Sequence, residues 1–231
     1  MNDVILIGNR SSSTGIGTYS CQLIKHLKEI GQLSFDEINL TTAAEDSYGG
    51  FTNISVQKAQ RLLDHLLFLR KIPRNYKVYH LMNPNLGILL SKYRPAVVTV
   101  HDLYPFKKMA AKDFAANSSG LDWLFLLAMK FNMEFVKQAD QIISVSQNTK
   151  KDIVSLLHVP AARIAVIYLG VDRSSFHFRG KRDTRLFLNL PLNRKIVLHV
   201  GVDEPRKNIN TLLMAFSEVK RRIPDSVLVR I

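Results

Sequence analysis

The chain has 231 residues, of which 46% are hydrophobic and 22% are charged, a globular composition with room for one good core and part of a second. Its single cysteine, Cys21, excludes an intrachain disulfide and a cysteine-based zinc site, and favours a reducing cytoplasm. The chain has 32 lysines and arginines and 19 aspartates and glutamates, which give a net charge of +13. This charge suggests an anionic partner such as nucleic acid, anionic lipid or a phosphorylated ligand. A basic surface that has no partner is the alternative.

Short apolar runs alternate with helical patterns over the first 170 residues. The run VILIG predicts a strand at 4–8, and the helix that follows at 16–30 has an apolar face made of Ile16, Tyr19, Leu23, Ile24, Leu27 and Ile30. Further strands are predicted at 38–40, 78–82, 95–103, 141–146 and 163–170, and further helices at 57–70, 120–138 and 147–157. This alternation predicts an α/β fold: a doubly wound, Rossmann-like parallel sheet covered on both faces.

The rest of the chain begins a second unit. Residues 171–194 are charged and lack strong periodicity, which is typical of a linker. A strand at 195–201, a helix at 208–222 and a strand at 226–231 then predict a β-α-β unit. Such a unit alone exposes sheet edges and one sheet face. We also expect no signal peptide and no membrane span, because no apolar run approaches about 18 residues.

A glycine-containing loop, GNRSSSTGIGTY, joins the first strand to the first helix. Gly15 and Gly17 would let the backbone approach a phosphate at the positive end of the helix dipole. As a dinucleotide fingerprint the loop is poor, because Ser20 stands where the third glycine is expected and Asp36 and Glu37 precede the second predicted strand. A plain glycine turn with a helix cap is the alternative.

Two further motifs follow strands of the same predicted sheet. His101 and Asp102 in VTVHDLYPF come just after a strand, where ligand groups collect in doubly wound sheets. A histidine there could bond a sugar hydroxyl or act as acid or base, and the alternative is a histidine held by local backbone bonds. In SVSQNTKK, either Ser146 or Asn148 could cap the next helix.

The motif EPRKN follows the strand at 195–201 and leads into a helix. Arg206 and Lys207 would there offer two cations, besides helix N–H groups, to a diphosphate. Two solvated charges on a turn are the alternative. We predict no metal site, because the histidines and carboxylates show no close ligand cluster in the sequence.

Basic and aromatic residues are mixed between 106 and 131. Lys107, Lys108 and Lys112 surround Phe106, and Trp123 and Phe131 follow. This mixture suits an anionic membrane surface, or equally a helix with one solvated basic face and one buried aromatic face. Nucleic-acid binding is disfavoured, because no recognised module is present and the basic residues are dispersed.

Taken together and in order, these motifs resemble glycosyltransferase family four, the group-1 glycosyltransferases of GT-B fold. The stretches that carry the resemblance are TGIGTYSCQLIKHL, VVTVHDLYPF, the segment from ADQIISVSQN to VDRSSF, and LHVGVDEPRKNINTLLMAF. They are most similar to a mannosyltransferase-like branch with a Pro-Arg-Lys-Asn motif. The resemblance implies an N-terminal acceptor-side domain at 1–170, a linker at 171–194 and the start of a nucleotide-sugar domain at 195–231.

The family's chemistry, carried over by position, assigns roles to the motifs. A sugar would pass from a nucleotide diphosphate to a glycan or lipid-linked acceptor, with retention of configuration and without a metal ion, in polysaccharide synthesis. His101 would contact the transferred sugar as the catalytic residue, and Tyr19 and Asp102 are candidate sugar or acceptor contacts. The donor diphosphate would bind Gly15, Gly17, Arg206 and Lys207.

The sequence departs from the family in two respects. Val202 follows Gly201, where many members have an arginine, so Arg206 would substitute. The paired glutamates and the base-binding loops of the donor domain lie beyond residue 231, so we expect the chain alone to be inactive. The alternative is a non-catalytic half-protein that binds acceptor, membrane, a second copy or a partner subunit through its unfinished sheet. The expected location is cytoplasmic, with a peripheral site at the inner membrane face as an option.

Overall fold

The computed structural model describes residues 3–8, 14–40, 72–103, 106–107, 120–172, 180–201, 203 and 207–231. It divides into two compact units, Met1–Val171 and Asp172–Ile231. The helix predicted at 57–70, the lysines at 108 and 112, and Arg206 lie outside the described residues. No helix among the described residues is both long and apolar enough to cross a bilayer.

The first unit is built on a six-stranded sheet in the order β2-β1-β3-β4-β5-β6. All five pairings are parallel, so the predicted doubly wound α/β fold is confirmed. The strands are β1 (Val4–Gly8), β2 (Phe35–Asn39), β3 (Val78–Leu81), β4 (Ala96–Val100), β5 (Gln141–Ser144) and β6 (Ile164–Val166).

The helices of the first unit follow the predicted order, with two additions among the described residues, the 3-10 helices Pro84–Ser91 and Ala161–Arg163. The 3-10 helix Pro84–Ser91 was not predicted, because PNLGILLS is apolar on all sides and shows no 3.6-residue period. Asn83 caps its start by accepting a hydrogen bond of 2.9 Å from the Asn85 N–H. The α-helices are α1 (Gly15–Ile30), α2 (Gly120–Glu134, continued by the 3-10 turn Phe135–Gln138) and α3 (Gln147–Leu157).

Strand alternation divides the core of the first unit between the two faces of the sheet. Ile5, Ile7, Leu81 and Val98 belong to the larger cluster, which also receives the 3-10 helix at 84–91. Their neighbours along the strands point the opposite way. A smaller cluster of Leu6, Ile24 and Met82 lies where α1 packs on the sheet. The side chains of α1 therefore cover the ends of β1 and β3.

Three details of the predicted elements are wrong. β2 begins at Phe35, so Asp36 and Glu37 lie inside the strand. The strand lies at the edge of the described sheet. There Asp36 accepts a 2.7 Å hydrogen bond from the Tyr76 hydroxyl, and Glu37 pairs with Lys28 at 3.2 Å. Ile30 is exposed, because the helix ends there and Gly31 turns the chain with φ +66°. The strand predicted at 163–170 shortens to β6, and the apolar residues after it are exposed.

The second unit contains the β-α-β order expected from the sequence. β7 (Lys195–His199) pairs in parallel with β8 (Ser226–Arg230), and α5 (Ile209–Arg222) connects them. A helix, α4 (Lys181–Phe187), lies within the segment predicted as a linker. Leu198 and Met214 are largely exposed, at 57% and 74%. The apolar surface of this unit is thus only partly covered by the described residues.

Candidate functional site

The candidate site of the first unit lies at a topological switch point. From β1 the chain moves to β2 on one side, and later to β3 on the other side. In doubly wound sheets, a crevice for ligands opens beyond the carboxyl ends of the two strands that flank such a point. Gly8 ends β1 there, Met82 follows β3, and His101 follows β4.

Close packing of α1 on β1 brings the helix to this crevice. A Cβ atom on Gly8 would lie 2.7 Å from Met82 Cε and 3.1 Å from Ser20 Oγ. Ser20 is fully buried and bonds back to the Ile16 carbonyl at 3.1 Å. The close helix–strand approach that the third glycine gives in a dinucleotide fingerprint is therefore provided here by Gly8 together with the small Ser20.

The start of α1 carries the two glycines predicted to meet a diphosphate. Thr14 is the N-cap, and its Oγ1 accepts a 3.0 Å hydrogen bond from the Gly17 N–H. Gly15 opens the helix in an exposed position, and a Cβ added there would meet nothing within 4 Å. A ligand at this helix end therefore meets an open Gly15, whereas the N–H of Gly17 is already used by the cap.

His101 is held by the backbone at the end of β3. Its Nε2 lies 3.2 Å from the Met82 carbonyl oxygen. A carbonyl only accepts, so Nε2 carries the hydrogen and, in the neutral ring, Nδ1 keeps the lone pair. Burial lowers the pKa of His101, against smaller opposing effects of the Met82 bond and the Asp102 charge. Near neutral pH the ring therefore offers Nδ1 as an acceptor or base.

The strand end beside His101 is fastened to the next helix. Thr149 Oγ1 donates a 3.1 Å hydrogen bond to the His101 carbonyl. Of the two predicted caps of α3, Ser146 is the N-cap: its Oγ accepts from the Thr149 N–H at 3.0 Å. The cap and the histidine are thus joined through one threonine. Asp102, the neighbour of His101, is exposed.

Sequence reasoning missed two buried polar residues behind His101. Thr99 Oγ1 lies 3.0 Å from the Tyr19 hydroxyl and 2.9 Å from His80 Nε2. The Tyr19 ring packs edge-on against the His101 ring, with centroids 4.8 Å apart at 80°. The sequence offered one signal for these residues, a polar residue within an apolar strand: His80 in VYHLM and Thr99 in AVVTV. Thr99 also stands two positions before His101, a spacing that places the side chains of Thr99 and His101 on the same face of the sheet.

The described part of the second unit places Lys207 beside Gly201. Gly201 has φ +156°, and a Cβ there would lie 3.5 Å from the His199 ring and 3.9 Å from Lys207 Cε. Lys207 is exposed just before α5, whose N-cap is Asn208. The Nδ1 atom of His199 is buried without a hydrogen-bond partner among the described residues. A cation, a glycine and a helix N-terminus are thus gathered at the end of β7.

Among the described residues, no group of three or more histidine, cysteine, aspartate or glutamate side chains could hold a metal ion. The polar side chains at the switch point are instead histidine, tyrosine and threonine, which suit hydrogen bonding to a ligand's hydroxyl groups. The prediction of a transfer without a metal ion is not tested by this arrangement and stays a prediction.

The family model of Glycosyltransferase Family 4 matches residues 40–175, more than half of the chain. A D-inositol 3-phosphate glycosyltransferase of Mycolicibacterium paratuberculosis is 31% identical over 130 residues, which are 56% of this chain and 29% of that protein. The O-antigen chain mannosyltransferase B of Escherichia coli is 28% identical over 244 aligned positions, covering 91% of this chain and 59% of that protein.

Two solved structures are similar over the whole chain. Anabaena HepE, solved in complex with UDP and glucose, matches with a TM-score of 0.59 at 12% identity, and the match covers 61% of the HepE chain. An α,α-trehalose 6-phosphate synthase from Burkholderia multivorans matches with a TM-score of 0.54 at 12% identity, and the match covers 65% of the synthase chain. At this identity the likeness concerns the fold. The chain thus spans less than two thirds of each of these four proteins.

Proposed function

The chain belongs to glycosyltransferase family 4, and from that membership we propose that it is the N-terminal part of an enzyme that transfers a sugar from a nucleotide diphosphate to a glycan or lipid-linked acceptor. The two curated relatives are named for the transfer of a sugar. We propose further that the transfer retains the configuration of the sugar. The anomeric configuration of the product, compared with that of the donor by NMR, tests this point.

One observation carries the proposal: a neutral, oriented histidine at the switch point. Its Nε2 bonds to the Met82 carbonyl, which leaves Nδ1 as a hydrogen-bond acceptor. An acceptor at the carboxyl end of β4 suits a hydroxyl of the transferred sugar, and we assign His101 this contact. Asp102, exposed beside it, is a further candidate for the sugar or the acceptor. The proposed contact of Tyr19 would use its ring, since its hydroxyl is bonded to Thr99.

Each unit contains candidate residues for the donor diphosphate. In the first unit, Gly15 presents open backbone at the N-terminus of α1. In the second, Lys207 supplies a cation before α5, and Arg206 precedes it in the sequence. Positive charge and helix N–H groups stabilise the negative charge that develops on a departing diphosphate. Gly17 would contribute to diphosphate binding only through its small size, because its N–H already donates a hydrogen bond to Thr14.

The experiment that tests the function compares two products of the source gene. The 231-residue chain and the product of the whole reading frame are each incubated with UDP- and GDP-hexoses and with a lipid extract of the source cells as acceptor. We expect transfer by the whole product and none by the 231-residue chain. Robust turnover by the chain alone would contradict its proposed inactivity, and no transfer by the whole product would contradict the function.

The alternative, a half-protein completed by a partner or by a second copy, has one observation in its favour. Several apolar side chains of the β7–β8 unit, among them Leu198 and Met214, are largely exposed. A reading frame that stops after codon 231, together with a dimer or a co-purifying subunit in light-scattering measurements, would favour it. A monodisperse monomer would count against it.

We also propose that the first unit binds an anionic lipid surface through α2. Trp123, Leu124, Leu127 and Phe131 share one face of this helix and are between 42% and 55% exposed. The chain's charge of +13 would add attraction to anionic lipids. A peripheral position at the cytoplasmic membrane face follows from this proposal and would bring the site to a lipid-linked acceptor.

Flotation with liposomes containing phosphatidylglycerol tests the lipid surface. We expect recovery at low salt, loss at high salt, and weaker recovery of Leu127→Ser and Phe131→Ser. Ile30→Ser is the matched control, because Ile30 is equally exposed but lies on α1. Equal recovery of all three variants, or no recovery of the unaltered protein at any salt, would remove the proposal.

A further inference from the structure

Three polar side chains form a hydrogen-bonded relay behind the candidate site. Thr99 Oγ1 stands in the middle, 3.0 Å from the Tyr19 hydroxyl and 2.9 Å from His80 Nε2. The three residues belong to three elements: Tyr19 to α1, His80 to β3 and Thr99 to β4. Thr99 is fully buried and His80 is 9% exposed. The relay therefore ties the covering helix to two neighbouring strands at a dry position.

The chemistry of the relay makes its geometry specific. A threonine hydroxyl carries one hydrogen and two lone pairs, so Thr99 donates at most one of the two bonds and accepts at least one. If any member lost its partner, a buried polar group would be left unsatisfied, which costs more than the net value of an ordinary hydrogen bond. The position of the Tyr19 hydroxyl is thus strongly determined, and with it the position of the ring that carries it.

That ring touches the histidine of the candidate site. The Tyr19 and His101 rings meet edge-on with centroids 4.8 Å apart. Aromatic pairs prefer such a geometry, so a fixed tyrosine ring restricts the rotation of its neighbour. The Met82 carbonyl restricts the same ring through its 3.2 Å contact with Nε2. The His101 ring is therefore oriented by a hydrogen bond at one atom and by packing against Tyr19.

We propose that Tyr19, Thr99 and His80 act together as a positioning relay, which holds the His101 imidazole in the orientation where Nε2 donates to Met82 and Nδ1 remains the acceptor. The inference rests on the proposed contact between His101 and the transferred sugar. Tyr19 acts on the reaction through His101, because its ring packs against the imidazole while its hydroxyl is bonded to Thr99. Thr99 and His80 act through Tyr19 and do not touch the substrate.

The test removes the hydroxyl groups while keeping the shapes of the side chains. Tyr19→Phe and Thr99→Val each break the relay, and Thr99→Ser restores a hydroxyl at its centre. Tyr76→Phe is the matched control, because it loses a comparable bond, 2.7 Å long, to Asp36 on β2. Thermal melts establish that each variant is folded. Should Thr99→Val not fold, Tyr19→Phe with its control tests the relay by itself.

The first readout is the NMR spectrum of the 231-residue chain labelled with ¹³C and ¹⁵N in histidine. The His101 signals are identified by their loss in His101→Gln. We expect one Nε2–H tautomer in the unaltered chain, and shifted ring signals with mixed tautomers in Tyr19→Phe and Thr99→Val. Thr99→Ser and Tyr76→Phe should keep the unaltered His101 signals. Unaltered His101 signals in both Tyr19→Phe and Thr99→Val would overturn the relay.

The second readout is the kinetics of the transfer-competent protein. A mispositioned sugar contact should lower kcat about 10-fold in Tyr19→Phe and Thr99→Val, with the donor KM changed less than about 2-fold. A rise in KM with unchanged kcat would overturn the relay and favour a binding contact of Tyr19. If the unaltered protein transfers no sugar, the proposed function fails, while the NMR readout still decides whether the relay positions the ring.

Discussion

At the residue scale, His101 is the side chain on which the proposed chemistry depends. Its ring is partly buried, bonded at Nε2 to the Met82 carbonyl and packed against Tyr19. Burial lowers the pKa of His101 below its usual range, so the neutral ring dominates near pH 7. A side chain that must accept a hydrogen bond from a sugar hydroxyl gains from being kept neutral in this way.

Replacing His101 tests this role directly. In the transfer-competent protein we expect His101→Gln to lower kcat about 100-fold or more, because a positioned acid–base or hydrogen-bonding side chain contributes on that order. Initial rates over a range of donor concentrations give kcat and KM. His26→Gln, an exposed histidine on the outer face of α1, is the control and should leave both constants unchanged. Equal rates for both variants would remove His101 from the mechanism.

The buried His80 predicts how stability depends on pH. Desolvation lowers its pKa from 6.5 to about 4 in the folded chain. Between these values the unfolded chain binds more protons at this position, so stability rises with pH there and is lost as pH falls from about 6.5 toward 4. The shift corresponds to roughly 3 kcal/mol in the free energy of unfolding over that range.

Urea unfolding at pH 7 and pH 4.5 measures this contribution. We expect His80→Gln to lose less stability between the two pH values than the unaltered chain does. The comparison uses the change with pH and not the stability at one pH, because the substitution itself disturbs the relay with Thr99. An unchanged pH dependence in His80→Gln would show that His80 is not held neutral by burial.

At the element scale, the caps and contacts of helices place the site residues. Ser146 ends the loop after β5 and caps α3, and Thr149 in the first turn of α3 donates to the His101 carbonyl. On the other side of β4, the 3-10 helix at 84–91 packs against α2, where the Ile88 N–H bonds to Asn132 Oδ1 at 3.0 Å. The first contact fixes the chain beside His101, and the second holds the 3-10 helix on α2.

The Ser146 cap predicts a stability difference between two serines of the same region. Ser146→Ala should cost about 1 kcal/mol, because the Thr149 N–H at the helix start loses its acceptor. Ser155→Ala is the control: Ser155 is exposed within α3 and, among the described residues, its hydroxyl bonds back to the Asp152 carbonyl, so we expect a change within about 0.5 kcal/mol. Chemical denaturation of both variants measures the difference, and equal losses would contradict the cap.

The packing of the 3-10 helix on α2 predicts a contrast between two glycines. A Cβ atom on Gly87 would collide with the backbone carbonyl of Asn132, so Gly87→Ala should destabilise the chain by about 1–3 kcal/mol. Gly15→Ala is the control, since a Cβ there meets nothing within 4 Å. Thermal melts of the two variants measure the contrast, and we expect a lower melting temperature for Gly87→Ala than for Gly15→Ala. A neutral Gly87→Ala would mean that the two helices can separate at no cost.

At the scale of the whole molecule, each of the two units contains candidate residues of its own. The first unit supplies His101, Tyr19 and the start of α1, and the second supplies Lys207 beside Gly201. The chain spans 59% of the E. coli relative. The two units contain candidate residues for the sugar and for the diphosphate.

The proposed transfer without a metal ion is tested on the whole enzyme. Cations from Lys207 and Arg206, together with helix N–H groups, would take the place of a divalent ion at the leaving diphosphate. We therefore expect the transfer rate of the product of the whole reading frame to be unchanged in excess EDTA. Lys207→Ala should lower the rate about 100-fold under the same conditions, and a loss of activity in EDTA that Mg²⁺ or Mn²⁺ restores would contradict the proposal.

Much of the site was predictable, because it depends on positions relative to strand ends. The runs VILIG and AVVTV place Gly8 and His101 at the carboxyl edge of a parallel sheet, whatever surrounds them. Buried polar residues were not predictable in their roles, since a histidine within VYHLM is equally compatible with either sheet face. That β2 begins at Phe35 and not at Ile38 depends on its pairing with β1, in which Val4 lies opposite Phe35.

Local periodicity and motifs in register were enough to predict the α/β class, the parallel sheet and the family, but not the 3-10 helix at 84–91 or α4. Tertiary structure alone decided which nitrogen of His101 carries the hydrogen, which serine caps α3, and that Tyr19 turns its hydroxyl to Thr99. Those facts depend on side chains from strands and helices as far as 80 positions apart along the chain. Periodicity records which face a residue occupies, and only packing determines the partner that it meets there.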